Sequence, residues 1–206
     1  MYGRLIYVYG AMGSAKTAEL LIEMYQHEHE NQKVCLIKPL RDDRNVEVTS
    51  RAGNLSRPAD YIIAPTDNIF DMIDESVDSL FVDEVQFFSP EQIDQLRRLT
   101  IEKGMNVLTY GLRADFSTKA FPGSIRLFEI ADELREKYYR CSCGGKKTYN
   151  ARFKDGVIET EGEQVAIEGK GNYTYKSLCP ECYYRLVNEK LEKQSGPIRI
   201  RKKDYQ

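Results

Sequence analysis

Short apolar runs alternate with stretches of helical periodicity through the first two-thirds of the chain. The runs at 5–9, 34–38, 61–64, 79–82 and 106–110 predict strands. Segments 16–29, 68–74, 91–103 and 124–132 predict helices. The third helix has the clearest bounds, because Ser89 and Pro90 suit its cap and first turn and Gly104 stops it. Strands alternating with helices imply an α/β fold with parallel pairing and a sheet covered on both faces.

The pattern changes near Tyr138. From there come C-S-C-G-G, a polar hairpin-like stretch and then C-P-E-C. The division expected is an α/β domain at 1–137, a small cysteine-bearing unit at 138–186 and a C-terminal tail at 187–206. The closing Q-S-G-P-I-R-I-R-K-K-D-Y-Q is charged and unpatterned, which suits a tail.

A length of 206 residues suffices for one sizeable core, alone or with a small appendage. Thirty Lys and Arg face 32 Asp and Glu, a net charge of −2. Duplex-binding proteins usually show a basic excess, so no nucleic-acid partner is expected. No apolar run is long enough for a membrane span, so no membrane partner is expected either. The opening M-Y-G-R-L-I-Y-V-Y-G reads as a first strand rather than a secretory signal. Five cysteines without such a signal fit a reducing, cytoplasmic compartment, where clustered thiols more often bind metal than pair as disulfides.

Residues 10–17 read G-A-M-G-S-A-K-T, between a predicted strand and a predicted helix. That is the setting of a Walker A loop, and it makes the expected fold P-loop NTPase-like. Backbone N–H groups of Gly10, Ala11, Met12, Gly13, Ser14 and Ala15 would face phosphate oxygens, helped by the positive end of the following helix. Lys16 would reach the terminal phosphates, and the Thr17 hydroxyl would bind Mg²⁺. Ala15 replaces the usual second Gly, and it serves if its backbone stays at negative φ.

The run at 79–82 leads into Asp83 and Glu84. A phosphate loop needs a partner carboxylate to help hold Mg²⁺, and Asp83 fits. Strand alternation would point Glu84 the other way, toward an acceptor hydroxyl whose proton a base must remove. The pair alone does not separate a kinase from an ATPase.

Further motifs follow in order. These are K-P-L-R-D-D-R at 38–44, S-R-A-G at 50–53, D-E-V-Q-F-F at 83–88, Y-G-L-R-A-D-F at 110–116, F-P-G at 121–123 and E-G-E-Q-V-A-I at 161–167. Together they resemble the thymidine kinase family that includes the cytosolic animal enzyme and most bacterial ones. The resemblance implies transfer of the γ-phosphate of ATP to the 5′-hydroxyl of thymidine or deoxyuridine. Glu84 matches the catalytic base, with Asp83 and Gln86 beside the nucleotide. Asp42 and Arg44 match residues near the metal and the transferring phosphate; read without the family they are a solvated loop pair. Met12, Phe87, Leu112, Phe116 and Phe121 match the lining of the base site; read without the family they are core. The resemblance also implies a homotetramer and feedback inhibition by dTTP.

Cys141, Cys143, Cys179 and Cys182 offer four thiolates in two clusters, suited to a structural Zn²⁺. A redox pair is the alternative reading. The first pair is C-x-C, tighter than the C-x-x-C usual in the family. Cys35, alone in an apolar run, reads as a small buried hydrophobe. In the family the segment between the pairs is a lasso-like loop that closes over the nucleoside and reads the base through its backbone. Here that role falls to Gln164, Val165, Ala166, Ile167 and Gly169, with Tyr175 matching the loop tyrosine. Asn150 stands where many members carry Thr beside the base.

Two other functions compete at this point. One is a nucleic-acid-associated ATPase with a zinc ribbon, suggested by Arg199, Arg201, Lys202 and Lys203. The other is a degenerate kinase kept as a scaffold, against which Lys16, Thr17, Asp83 and Glu84 all stand intact.

Overall fold

The computed structural model describes residues 2–41, 46–50, 52–164 and 172–195. In chain order the elements are β1 (Leu5–Gly10), α1 (Lys16–His29), β2 (Val34–Pro39), β3 (Glu47–Thr49), β4 (Ser56–Pro58) and β5 (Tyr61–Ile63). There follow α2 (Ile69–Met72), β6 (Ser79–Val82), α3 (Pro90–Glu102), β7 (Asn106–Gly111), α4 (Pro122–Ile130) and β8 (Glu133–Lys137). The chain continues through β9 (Tyr149–Lys154), β10 (Val157–Glu159), β11 (Tyr173–Leu178) and α5 (Pro180–Ser195). No helix among the described residues is long and apolar enough to cross a membrane.

Six strands form one sheet in the order β5-β2-β6-β7-β1-β8, and every pairing in it is parallel. Side-chain alternation sends Leu5, Tyr7, Leu80, Val82 and Val107 to one face and Ile6, Val8, Phe81, Leu108 and Tyr110 to the other. The first face packs on Ile69, Ile93, Leu96 and Leu127 of α2, α3 and α4, the second on Leu20 and Met24 of α1. Both faces are therefore covered, as buried parallel strands require. Cys35 lies in the first of these cores, 4% exposed.

Capping sets the helix bounds. Ser89 accepts from the backbone N–H of Gln92, and Gln92 Oε1 accepts in return from Ser89 N–H, a reciprocal box with Pro90 in the first turn. Gly104 at φ +67 follows the end of α3.

A second sheet, β10-β9-β11, is antiparallel. Ala151, Phe153 and Ile158 of this sheet pack on Tyr183, Leu186 and Val187 of α5. The tail expected from 187 is corrected here, because α5 runs on to Ser195. Leu186 and Val187 follow Tyr183 at helical spacing, and burying them on the sheet extends the helix past the expected boundary.

Candidate active site

The loop after β1 makes a tight turn into α1, with Gly13 at φ +73 and Ala15 at φ +61. The negative φ expected for Ala15 is thus overturned. The turn needs a left-handed residue just before the helix, and here an alanine takes it at a steric cost of about 1–2 kcal/mol. Gly10 has no such freedom to change, since a Cβ there would lie 2.1 Å from the carbonyl of Lys137 in β8. The Lys16 ammonium folds over the turn and donates to the carbonyls of Ala11 (2.9 Å) and Gly10 (3.3 Å) and to Ser14 Oγ (3.2 Å). Burial lowers its pKa, opposed by the charges of Glu84 and Asp83.

Asp83 follows β6, which is separated from β1 by β7. The Thr17 hydroxyl donates to Asp83 Oδ1 at 3.5 Å, across the gap between α1 and the end of β6. Burial, then the neighbouring charge of Glu84, raises the Asp83 pKa to about 7. Such a carboxylate needs a cation to stay ionised. Strand alternation does not set the direction of Glu84. The strand has ended, and Glu84 sits at φ 51, ψ 37 as the cap of a 3-10 turn at Val85–Phe87. A non-glycine residue held there stores strain of the kind found at functional sites.

Gln86, 2% exposed, donates from Nε2 to Glu84 Oε2. Its Oε1 accepts from the backbone N–H of Leu112 at 2.9 Å. The Leu112 carbonyl accepts from Ser124 Oγ (2.6 Å) and Tyr7 OH (2.9 Å). Gly111 allows the approach, because a Cβ there would lie 2.5 Å from Gln86 Oε1. Beside this linkage an open, largely apolar cleft of about 320 Å³ is lined by Gln86, Phe87, Phe121 and Gln164 among others. Phe87 and Phe121 meet edge to face at 5.6 Å, and the Arg41 guanidinium lies 4.1 Å from the Phe87 ring centroid.

The structure places the other expected residues less uniformly. Phe116 is 2% exposed and buried beneath Arg152, at 3.5 Å from ring centroid to guanidinium carbon. Tyr175 stands in β11 opposite Arg152 of β9, in a strand rather than the expected loop. Asp42, Arg44, Val165, Ala166, Ile167 and Gly169 lie outside the described residues.

The small sheet reaches back to the turn at Met12. Asn150 Oδ1 accepts from Met12 N–H at 2.8 Å, and its Nδ2 donates to the Ala114 carbonyl at 2.8 Å. Tyr139 OH (3.1 Å) and Ser177 Oγ (2.6 Å) both donate to the Met12 carbonyl. Tyr139, Ser177 and Arg152 were not singled out from the sequence. For Arg152 a signal existed: it shares a strand face with Asn150 in Y-N-A-R-F-K, opposite Ala151 and Phe153.

The sulfurs of Cys141, Cys143, Cys179 and Cys182 lie within 4.8 Å of one another. Neighbouring pairs are 3.3, 3.5 and 3.9 Å apart. A tetrahedral ion with thiolates at about 2.3 Å sets sulfurs about 3.8 Å apart, so this donor set fits a four-coordinate metal. The tight C-x-C lies in a turn in which Gly144 N–H donates to the Cys141 carbonyl and Cys141 N–H donates to the Gly145 carbonyl. A Cβ on Gly145 would sit 2.9 Å from that of Cys179.

A parallel sheet with a lysine-bearing turn beside buried Asp83 and half-buried Glu84 defines the class, an α/β protein with a phosphate-type loop. The family model described as thymidine kinase matches residues 3–183. The chain is 37% identical to the thymidine kinase of Enterobacteria phage T4 over 193 residues, 90% of this chain and 97% of that one. It is 39% identical to the thymidine kinase of Ruegeria pomeroyi, covering 85% of this chain and 91% of that one. It is 34% identical to that of Chromobacterium violaceum, covering 88% and 98% respectively. Among solved structures, Pif1 helicase from Candida albicans aligns with a TM-score of 0.38 at 11% identity, covering 66% of this chain and 36% of that one, too weak a likeness to bear on function. This chain belongs to the thymidine kinase family and is a phosphotransferase.

Proposed function

We propose that the chain transfers the γ-phosphate of ATP to the 5′-hydroxyl of thymidine, and of deoxyuridine, as a salvage route to dTMP. The observation that carries the reading is Glu84. Its carboxylate is held by Gln86, which lines the apolar cleft, and it stands one residue from Asp83 at the phosphate loop. A base at that point can take the proton of a hydroxyl as the hydroxyl attacks phosphorus. Backbone N–H groups of 10–17 and the start of α1 bind the phosphates, with Lys16 moving from the loop carbonyls onto the terminal phosphate. Thr17 and Asp83 would hold Mg²⁺, which neutralises phosphate charge when bound. Asp42 and Arg44 serve the same phosphates.

Phe87, Leu112, Phe116, Phe121 and Gln164 form the nucleoside end, with Val165, Ala166, Ile167, Gly169 and Tyr175 reading the base. The four cysteines hold a structural Zn²⁺. Its closed donor set leaves no position for substrate, so its work is to fix the small unit against the phosphate loop. A homotetramer in the cytoplasm, inhibited by dTTP, completes the proposal.

The test is incubation with ATP, Mg²⁺ and each common deoxynucleoside in turn, with products identified by mass. Thymidine monophosphate is expected. Hydrolysis of ATP stimulated by DNA and indifferent to nucleosides would instead support the ATPase reading.

A further inference from the structure

Arg152 is 3% exposed in the middle strand of the small sheet. A buried guanidinium is costly unless its donors are used. Nε donates to Glu159, its cross-strand neighbour, at 2.8 Å. Nη1 donates to the Glu163 carbonyl at 2.7 Å, and Nη2 to the Glu161 carbonyl at 3.4 Å. Its flat face covers the Phe116 ring at 3.5 Å. Gly162 closes over the edge at φ +122, a conformation side chains rarely adopt, and a Cβ there would lie 2.7 Å from Nη2.

An ion pair with Glu159 would satisfy the charge. The two terminal nitrogens go instead to main-chain carbonyls, which fixes the path of a loop in the way a planar fork does and an ammonium does not. The residue that follows those carbonyls is Gln164, on the wall of the cleft. One side chain thus ties Phe116, in the segment after β7, to the backbone that delivers Gln164.

We infer that Arg152 is a positioning residue for the nucleoside: it sets Phe116 and the 161–163 backbone in fixed relation and so places the wall of the cleft. This rests on reading the cleft as the nucleoside end. Arg152 makes no described contact with the 10–17 loop, so its effect should fall on the nucleoside and spare ATP.

The test is steady-state kinetics of Arg152→Lys in the full-length, metal-containing enzyme. Lysine keeps a positive charge near Glu159 and loses the plane and the fork. The KM for thymidine is expected to rise about tenfold, with the KM for ATP within about twofold of the unsubstituted enzyme. A purely structural role would lower kcat through the active fraction and leave both KM values unchanged. That result, or an equal rise in both, overturns the inference. Glu159→Gln weakens the same anchor from its exposed side. It is expected to raise the thymidine KM about threefold with the same split, and it decides the matter if Arg152→Lys does not fold. An unsubstituted enzyme that makes no thymidine monophosphate overturns the underlying reading as well, which distinguishes that failure from failure of Arg152 alone.

Discussion

The side-chain amide of Gln86 joins Glu84 to the segment after β7, donating a hydrogen bond from Nε2 to the Glu84 carboxylate and accepting one with Oε1 from Leu112 N–H at 2.9 Å. Both halves of the amide are used, so the orientation of Glu84 depends on a buried group hydrogen-bonded at both ends. Gln86→Ala should lower kcat by about tenfold or more by freeing that carboxylate. It should also cost about 1–3 kcal/mol of stability, because the Leu112 N–H loses its partner in a buried place. Kinetics and urea unfolding on one preparation check both, and a variant normal in both would remove Gln86 from this role.

Ala15 is a strained point that one methyl group explains. Ala15→Gly removes the left-handed penalty of about 1–2 kcal/mol and adds unfolded-chain entropy worth about 0.4–1 kcal/mol. The net expectation is a gain of about 0.5–1 kcal/mol in unfolding free energy, read by denaturant titration. A loss of stability would contradict the φ of +61 found at that position.

Tyr139 and Ser177 each stand two residues before a cysteine pair, and both donate to Met12. The cysteine cluster and the 10–17 turn are thus joined by short stretches of chain. Metal analysis should find about one zinc per chain, as a single four-thiolate site requires. Removing it with a chelator should lower the melting temperature and raise the KM for ATP severalfold. Freshly purified protein without zinc would exclude the four-cysteine site, and an unchanged ATP KM after removal would exclude the link to Met12.

Cys35 offers a contrast with that cluster. Burial pushes its thiol pKa up to about 12. It therefore stays a neutral thiol at pH 8 in the folded protein, where a free cysteine would be partly thiolate. Iodoacetamide at pH 8 should leave Cys35 unmodified until denaturant is added. Modification of the native protein at the rate of a free thiol would contradict its burial.

Where the sequence was a good guide, a local rule and the tertiary structure agreed. α1 occupies 16–29 and β6 occupies 79–82 as the pattern predicts, because α1 buries one apolar face on the large sheet and β6, inside that sheet, buries both of its faces. The tight turn at 10–17 between β1 and α1, the place of Asp83 and Glu84 just after β6, and the clustering of the four cysteines were legible from residue type and spacing. β8 was not, since E-L-R-E-K is charged at every position but Leu134 and is a strand only because β1 pairs with it at the sheet edge. The conformations of Ala15 and Glu84 were misread, because residue type favours negative φ at both and the turns override that preference. Arg152 was passed over because its alternation with Ala151 and Phe153 marks only a strand face, and a lone arginine on that face reads as solvent-exposed until the fold buries it.

The account depends most on Glu84 as the group that takes the hydroxyl proton. The direct measurement is thymidine monophosphate formation by Glu84→Gln, with ATP binding measured in parallel. Glutamine keeps the size and a hydrogen bond to Gln86 but cannot accept the proton. Turnover should fall by about 10²–10⁴ while ATP affinity stays within about twofold. Turnover near that of the unsubstituted enzyme would contradict the account.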